Sequence, residues 1–446
     1  EINIEILDTL KNNTTYIFNF GNAVEDNNEA NTLENFKYVF STGNYIDSLT
    51  TSGNIKDAKL VEAPKNVNVL LYRIDSAFND SIIYKQKPSY ITNTLDTTNF
   101  QFTNLRKGKY LMLALKESIN DYIFNPATDK IGIIKDTIQL PRDSIINKPI
   151  ILFKENLPYE FKRGKEVTKG KIEFGFIGNA KDMKVNLLSK VPDTFKSVSK
   201  FMVDKDTLNY WFTPIEVDSL NFTISNKEFL DTVTVKLRKK KLDSLKISLS
   251  VRSILHFRDT FFIESNNPII KIDTAKISLV DKDTIAVKYN VLSSSKENKI
   301  AFLFEKKPEE KYRFKAFPNA FNDVYGIKND TLNYNFSTKE IDDYGRITIN
   351  VNNVNNKDLI IELLSGNGQD ELIEQHFIST STKVVFDLLQ PKKYTIRAII
   401  DTNKNNKWDT GNYLEKRLAE EIIYHDQIKN AELRANYYLE ENFKID

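Results

Sequence analysis

Cysteine is absent from all 446 residues. That removes disulfides, thiolate chemistry and cysteine zinc sites together, so stability must come from packed cores alone. Proline and glycine are scarce, at 12 and 14 residues. Little material is left for long flexible linkers, and a stiff succession of modules follows as the expectation. Neither sign of charge dominates: 63 Lys and Arg stand against 61 Asp and Glu, a formal +2, so no global field draws nucleic acid or an anionic membrane. No run approaches the ~18 apolar residues that a membrane helix requires. Glu1 opens no charged-then-apolar signal segment, which leads us to expect a front that is processed or lacking. Gly-x-Ser-x-Gly, a phosphate loop and His-Glu-x-x-His are all missing. The expectation is a non-catalytic protein.

What is present is ample apolar material, 40% hydrophobic with 20 Tyr and 29 Phe, in a chain too long for one core. Alternation of period two recurs along its length: Ile172, Phe174, Phe176; Leu220, Phe222, Ile224; Val233, Val235, Leu237; Ile285, Val287, Tyr289, Val291; Tyr394, Ile396, Ala398, Ile400. Thr223, Thr234, Lys236, Thr395 and Arg397 occupy the opposite face, as in antiparallel sheets with one solvated side. Helical spacing shows only in short pieces, such as Leu414 to Ile422. Many short strands divided by Asn, Asp, Gly and Lys turns indicate an all-β chain of sandwiches.

The chain also repeats itself. Phe20-Gly21-Asn22-Ala23-Val24-Glu25-Asp26 returns as Phe317-Pro318-Asn319-Ala320-Phe321-Asn322-Asp323, an offset of 297, and Phe40-Ser41-Thr42 returns as Phe336-Ser337-Thr338, an offset of 296. Gly108-Lys109-Tyr110, Glu117 and Phe124 match Lys392-Lys393-Tyr394, Asp401 and Trp408, at an offset of 284. A two-module unit thus occurs twice around a middle sandwich. The expected modules are 1–47 (the end of a first-type module), 48–155 (second type), 156–245 (middle), 246–340 (first type again) and 341–446 (second type again). Since the later first-type copy takes roughly 90 residues, about 50 residues of the earlier one are expected upstream of Glu1.

Asn13-Thr14-Thr15-Tyr16, Asp26 and Phe40-Ser41-Thr42-Gly43, with Phe262, Asn267-Pro268-Ile269 and Ile272-Asp273 of the later copy, resemble the bacterial Ig-like domain of surface-layer proteins. Over its full length the chain resembles the Bacteroidota Ig-like domain outer-membrane lipoproteins. The residues that carry this are Tyr90 to Asp96, Asp206 to Trp211 and Lys407 to Leu414. The resemblance implies tandem Ig-like β-sandwiches, the second type prealbumin- or Cna-B-like. It further implies a lipid anchor upstream of Glu1, a place at the outer-membrane surface, and partners among outer-membrane β-barrels and other surface lipoproteins. The favoured role is a docking subunit of the β-barrel assembly machinery. The alternative is a carbohydrate-binding surface lipoprotein of an uptake or secretion system.

The sharpest local motif runs from Asp401 to Asp409. Asp401, Asn403, Asn405 and Asp409 supply oxygen side chains at positions 1, 3, 5 and 9 of a calcium-loop pattern, and Lys407 can offer its carbonyl at position 7. Asn406 replaces the usual glycine, and Asn412 stands where a bidentate Glu is expected. The other reading is an Asx-rich turn whose side chains bond their own backbone. In the earlier copy Ile119 falls on a ligand position, so only the turn is expected there. His256, His376 and His425 are solitary. The pairs Asp342-Asp343 and Glu440-Glu441 are of a frequency expected by chance, and Arg238-Lys239-Lys240-Lys241 reads as a solvated linker. Trp211 and Trp408 read as core or edge plugs, and the modules as a rigid rod.

Overall fold

The computed structural model describes residues 4–7, 9–33, 36–62, 64–76, 78–202, 205–294, 297–366 and 371–445; Glu1 lies outside them. Among these residues the regular structure consists of 34 strands and three short 3-10 turns. No helix among the described residues is long and apolar enough to cross a membrane.

The first module is a two-stranded antiparallel ribbon, Thr15–Gly21 on Phe36–Ser41. In the second, Leu49–Asp57 changes partner along its length. Residues 49–54 pair with Asn99–Leu105, while 55–57 run parallel to Ile150–Phe153 and so link the two halves of one wrapped sheet. The middle module is a sandwich of four strands over three. Its alternation is reproduced as burial: Ile172, Phe174 and Phe176 face Leu220, Phe222 and Ile224 across the core. The fourth module packs the sheet containing Phe261–Ser265 and Lys299–Leu303 on the sheet containing Lys311–Ala316 and Leu332–Ser337. In the fifth, Gly345–Asn352 runs parallel to the last strand, Tyr438–Lys444, opposite a sheet centred on Leu359–Ser365 and Lys393–Ile400.

The duplication extends to hydrogen bonds. Thr42 accepts the Thr14 N–H and donates to the Lys11 carbonyl; Thr338 does the same with Glu310 and Lys307. Tyr16 lies opposite Phe40 and Tyr312 opposite Phe336, a constant offset of 296. The turn beyond keeps 297, and the one-residue step falls where Thr15–Gly21 carries a bulge after Asn19. In the second type, the Tyr110 hydroxyl donates to the Arg106 carbonyl and Tyr394 to that of Gln390, at the offset of 284.

Two expected elements do not form. Ile285 to Tyr289 is irregular, with Ile285 62% exposed, and only Asn290–Ser293 is a strand. Asp281 claims the N–H groups of Asp283 and Ile285, and a turn replaces the start of the strand. Leu414 to Ile422 is not helical, because reciprocal backbone bonds between Asn412 and Arg417 close a turn there.

The rod is also corrected. Tyr325 of the fourth module donates to the Gly170 carbonyl of the middle one, and the Lys200 ammonium donates to the carbonyls of Ser294 and Glu297. Arg258 of the fourth module bonds the Asp387 carbonyl and the Glu374 carboxylate of the fifth. The fifth module then returns to the second, to which the middle one is joined through the chain, so modules two to five form a closed circuit.

Candidate functional site: an inter-module docking loop

The two second-type modules share a loop built on one plan. Glu117 accepts the N–H groups of Asp121 and Tyr122; Asp401 accepts those of Asn405 and Asn406. Tyr122 and Asn406 both take positive φ, 63° and 60°, a conformation Asn tolerates better than Tyr. A second acid closes each loop. Asp129 accepts from the N–H groups of Ser118 and Asn125, and Glu420 from those of Thr402 and Asp409. Three residues separate Asn125 from Asp129, and ten separate Asp409 from Glu420.

The added residues make the contact with the second module. The Thr410 hydroxyl donates to the Lys154 carbonyl at 2.6 Å, and the Tyr413 N–H donates to the Glu155 carboxylate at 2.5 Å. Lys416 pairs with Asp80 at 2.9 Å and sits 4.1 Å over the Tyr413 ring. Tyr413 is fully buried and joins the core that holds Leu70, Leu113, Ile131 and Phe153. A Cβ on Gly411 would stand 2.5 Å from the Phe153 ring, so only glycine fits. Beside this plug the Lys59 ammonium lies 4.2 Å over Trp408, whose indole N–H donates to the Glu420 carbonyl. The Tyr424 hydroxyl reaches the Lys59 carbonyl. A cleft of about 270 Å³ remains between the modules, lined in part by Asp57, Lys130, Lys154 and Trp408.

Burial pushes the Glu155 carboxyl above its ordinary range, opposed by the Tyr413 N–H. Its proton is therefore held more tightly in the folded chain than in the unfolded one. The folded state gains from protonation at low pH and loses that gain as pH rises through the raised value. The groups facing Glu155 are Glu415, which adds to the shift, and Arg417, which opposes it. Glu155→Gln is expected to be more stable than the parent near pH 7 and equally stable near pH 4, read from melting curves across that range.

The candidate calcium residues do converge. Asp401 is buried and holds the N–H groups already named, while one Asp409 oxygen receives the side-chain amides of Asn403 and Asn405 at 2.5 and 2.6 Å. The Lys407 N–H donates to the Asn405 side chain, and Lys404 pairs with Asp358. Among the described residues no group of three or more His, Asp or Glu side chains converges as a metal site. The earlier copy keeps the turn with Ile119 exposed.

The remaining candidates do not assemble into a reactive cluster. His256 meets the Tyr344 hydroxyl at 3.0 Å, His376 the Glu374 carboxylate at 2.7 Å, and His425 takes two backbone N–H groups on Nδ1. Burial lowers His256 and His425 below the usual imidazole range. Asp342 and Asp343 lie in a 3-10 turn, and Glu440 bonds Asn350 and Lys383. The basic run is folded onto the middle sandwich: the Arg238 N–H donates to the Glu166 carboxylate, and the Lys240 ammonium to the carbonyls of Glu166 and Val167. Trp211 is buried under Lys171 at 5.3 Å. Sequence reasoning missed Lys59, Glu155, Tyr413 and Glu420. A readable signal was Leu111 to Leu115, five consecutive apolar residues where an exposed sheet face would alternate.

No family model matches this chain, and no curated protein matches it. Among solved structures it is similar to a stretch of titin domains (10% identity, 54% of this chain and 91% of that one, TM-score 0.16). It is also similar to domains 5–6 of the S-layer protein SbsC (12%, 41% and 97%, TM-score 0.19) and to BcpA, the major pilin subunit of Bacillus cereus (8%, 89% and 99%, TM-score 0.17). Likenesses of this size carry no argument about function.

Proposed function

We propose that this chain is a non-catalytic docking subunit whose use lies in the fixed spacing of its sandwiches. The observation that supports this reading is the loop of residues 410–419. One copy of a duplicated turn is enlarged, and the enlargement anchors the fifth module on the second. A brace of this kind fixes the spacing of surfaces that present loops and sheet edges to other proteins.

In its finer form, the proposal is a lipid-anchored protein at the outer-membrane surface serving the β-barrel assembly machinery of Bacteroidota. This rests on the sequence resemblance. Native purification tests it: a barrel-assembly protein in the eluate supports it, while a monomer that binds glycans favours the carbohydrate-binding alternative.

A second reading, calcium at Asp401, Asn403, Asn405, Lys407 and Asp409, is motivated by the meeting of Asn403 and Asn405 on Asp409 and of the Asn405 N–H on Asp401 within one loop. Glu420 is engaged by the N–H groups of Thr402 and Asp409. Calcium is expected to raise the melting temperature of the whole chain by several degrees and chelator to reverse it. Identical curves with and without chelator assign the loop to its hydrogen bonds alone.

A further inference from the structure

The first module shows an aromatic face that its counterpart hides. Tyr16 and Phe18 on one strand, with Tyr38 and Phe40 on the other, correspond at the constant offset of 296 to Tyr312, Phe314, Tyr334 and Phe336. In the fourth module Tyr312, Phe314 and Phe336 are buried. Phe261 lies 4.7 Å from Phe336 and 5.2 Å from Phe314, and Phe302 lies 4.9 Å from Phe314. In the first module the aromatic contacts among the described residues are within the ribbon itself. Tyr16 and Phe18 pack on Phe40 at 5.5 and 5.9 Å, Phe20 on Phe36 at 5.5 Å, and Tyr38 is 58% exposed. Among the described residues no second sheet pairs with this ribbon, whose Tyr16, Phe18 and Phe40 are only half-buried, and a two-stranded ribbon alone lacks the second layer that makes such a unit stable.

We propose that this face docks a β half-sandwich of the make-up that residues 247–303 supply in the fourth module, one presenting alternating aromatic and branched side chains. The half that receives it is already closed on itself, since Thr42 repeats the bonds of Thr338 to Glu310 and Lys307 atom for atom; in the fourth module the covering half then bonds the neighbouring Ser337, through the Ser253 carbonyl and the Leu255 N–H. The occupant also continues an existing interface. In the fourth module the covering half reaches the next module itself, through Arg258 to the Asp387 carbonyl and His256 to the Tyr344 hydroxyl. Residue 387 corresponds to Thr103, which Lys37 of the ribbon touches at 3.4 Å, and Asn104 donates to the Asp47 carbonyl alongside. A half seated on the ribbon extends this same contact onto the second module.

The inference is independent of the docking-subunit reading, and its test involves no outside partner. A copy of residues 245–306 is joined by a flexible linker ahead of residue 4 of the full chain, and amide exchange is followed at 15–21 and 36–41. Exchange is expected to slow by about a hundredfold or more against the unextended chain. Phe18→Asp with Phe40→Asp in the extended chain is expected to erase that protection while the second to fifth modules keep theirs. Unchanged exchange with the added half present overturns the proposal, as does protection that survives the double substitution. Concentration-dependent protection of the unextended chain overturns it too, because a second copy then covers the face.

Discussion

Replacing residues 410–419 with Pro-Ala-Thr, the three residues that close the same loop in the second module, is expected to open the circuit while leaving every module folded. The shorter loop is known to close, because Asn125 to Asp129 closes with it. What it lacks is Thr410, Gly411, Tyr413 and Lys416, the residues that reach Lys154, Glu155, Phe153 and Asp80. The radius of gyration in solution scattering should rise, and melting of the fifth module should separate from that of the second. Tyr413→Ala is the point-substitution version. Removing a buried aromatic side chain costs about 3–5 kcal/mol, which at the lower end already weakens docking roughly a hundredfold. If scattering is unchanged by either variant, other contacts hold the fifth module and the enlarged loop is an ornament.

Glu362→Gln is expected to destabilise the fifth module by about 3 kcal/mol or more, because it strands a buried cation. Glu362 and Arg397 sit opposite each other on neighbouring strands, with 2.6 Å between Nε and Oε2 and side chains only 10% and 12% exposed. Burial acts against the Arg397 charge, and the Glu362 carboxylate with the Tyr424 hydroxyl outweighs it, holding the guanidinium above its usual range. The same pair faces Lys59, whose ammonium is lowered by burial first and by Arg397 next. Replacing both partners, Glu362→Leu with Arg397→Met, should recover most of the loss, since a packed apolar pair removes the desolvation problem altogether. Denaturant unfolding of the single and double variants separates these outcomes.

How far the fold could be read from residues depends on the kind of contact. Alternation located Lys171–Ile177 and Ser219–Asn226, since each buries one face more deeply than the other; it also located Lys393–Ile400, but there the expected solvated face is covered, with Thr395 and Ile399 buried and Arg397 only 12% exposed. Self-similarity pointed to related segments, and hydrogen bonds as local as those of Thr42 and Tyr110 follow the same offsets. Alternation misled at Ile285 to Tyr289, where a single aspartate captured two N–H groups and turned the chain. Packing between modules was hidden because Gly411 and Tyr413 belong to no period. Two traces of it were nevertheless present. Leu111 to Leu115 is apolar on both faces of its strand, whereas its counterpart carries Thr395 and Arg397, and the turn before Glu420 is longer than the turn before Asp129. The Asp401 loop was legible as a turn and not as a brace, because Glu420 lies outside any contiguous pattern.

The most direct test is the distance between the second and fifth modules in solution. With no native cysteine to interfere, spin labels can be attached at the exposed positions Lys107 and Ser381. A single narrow distance distribution that broadens when residues 410–419 are shortened is the result this account expects. A broad distribution in the parent chain, indifferent to the loop, contradicts it.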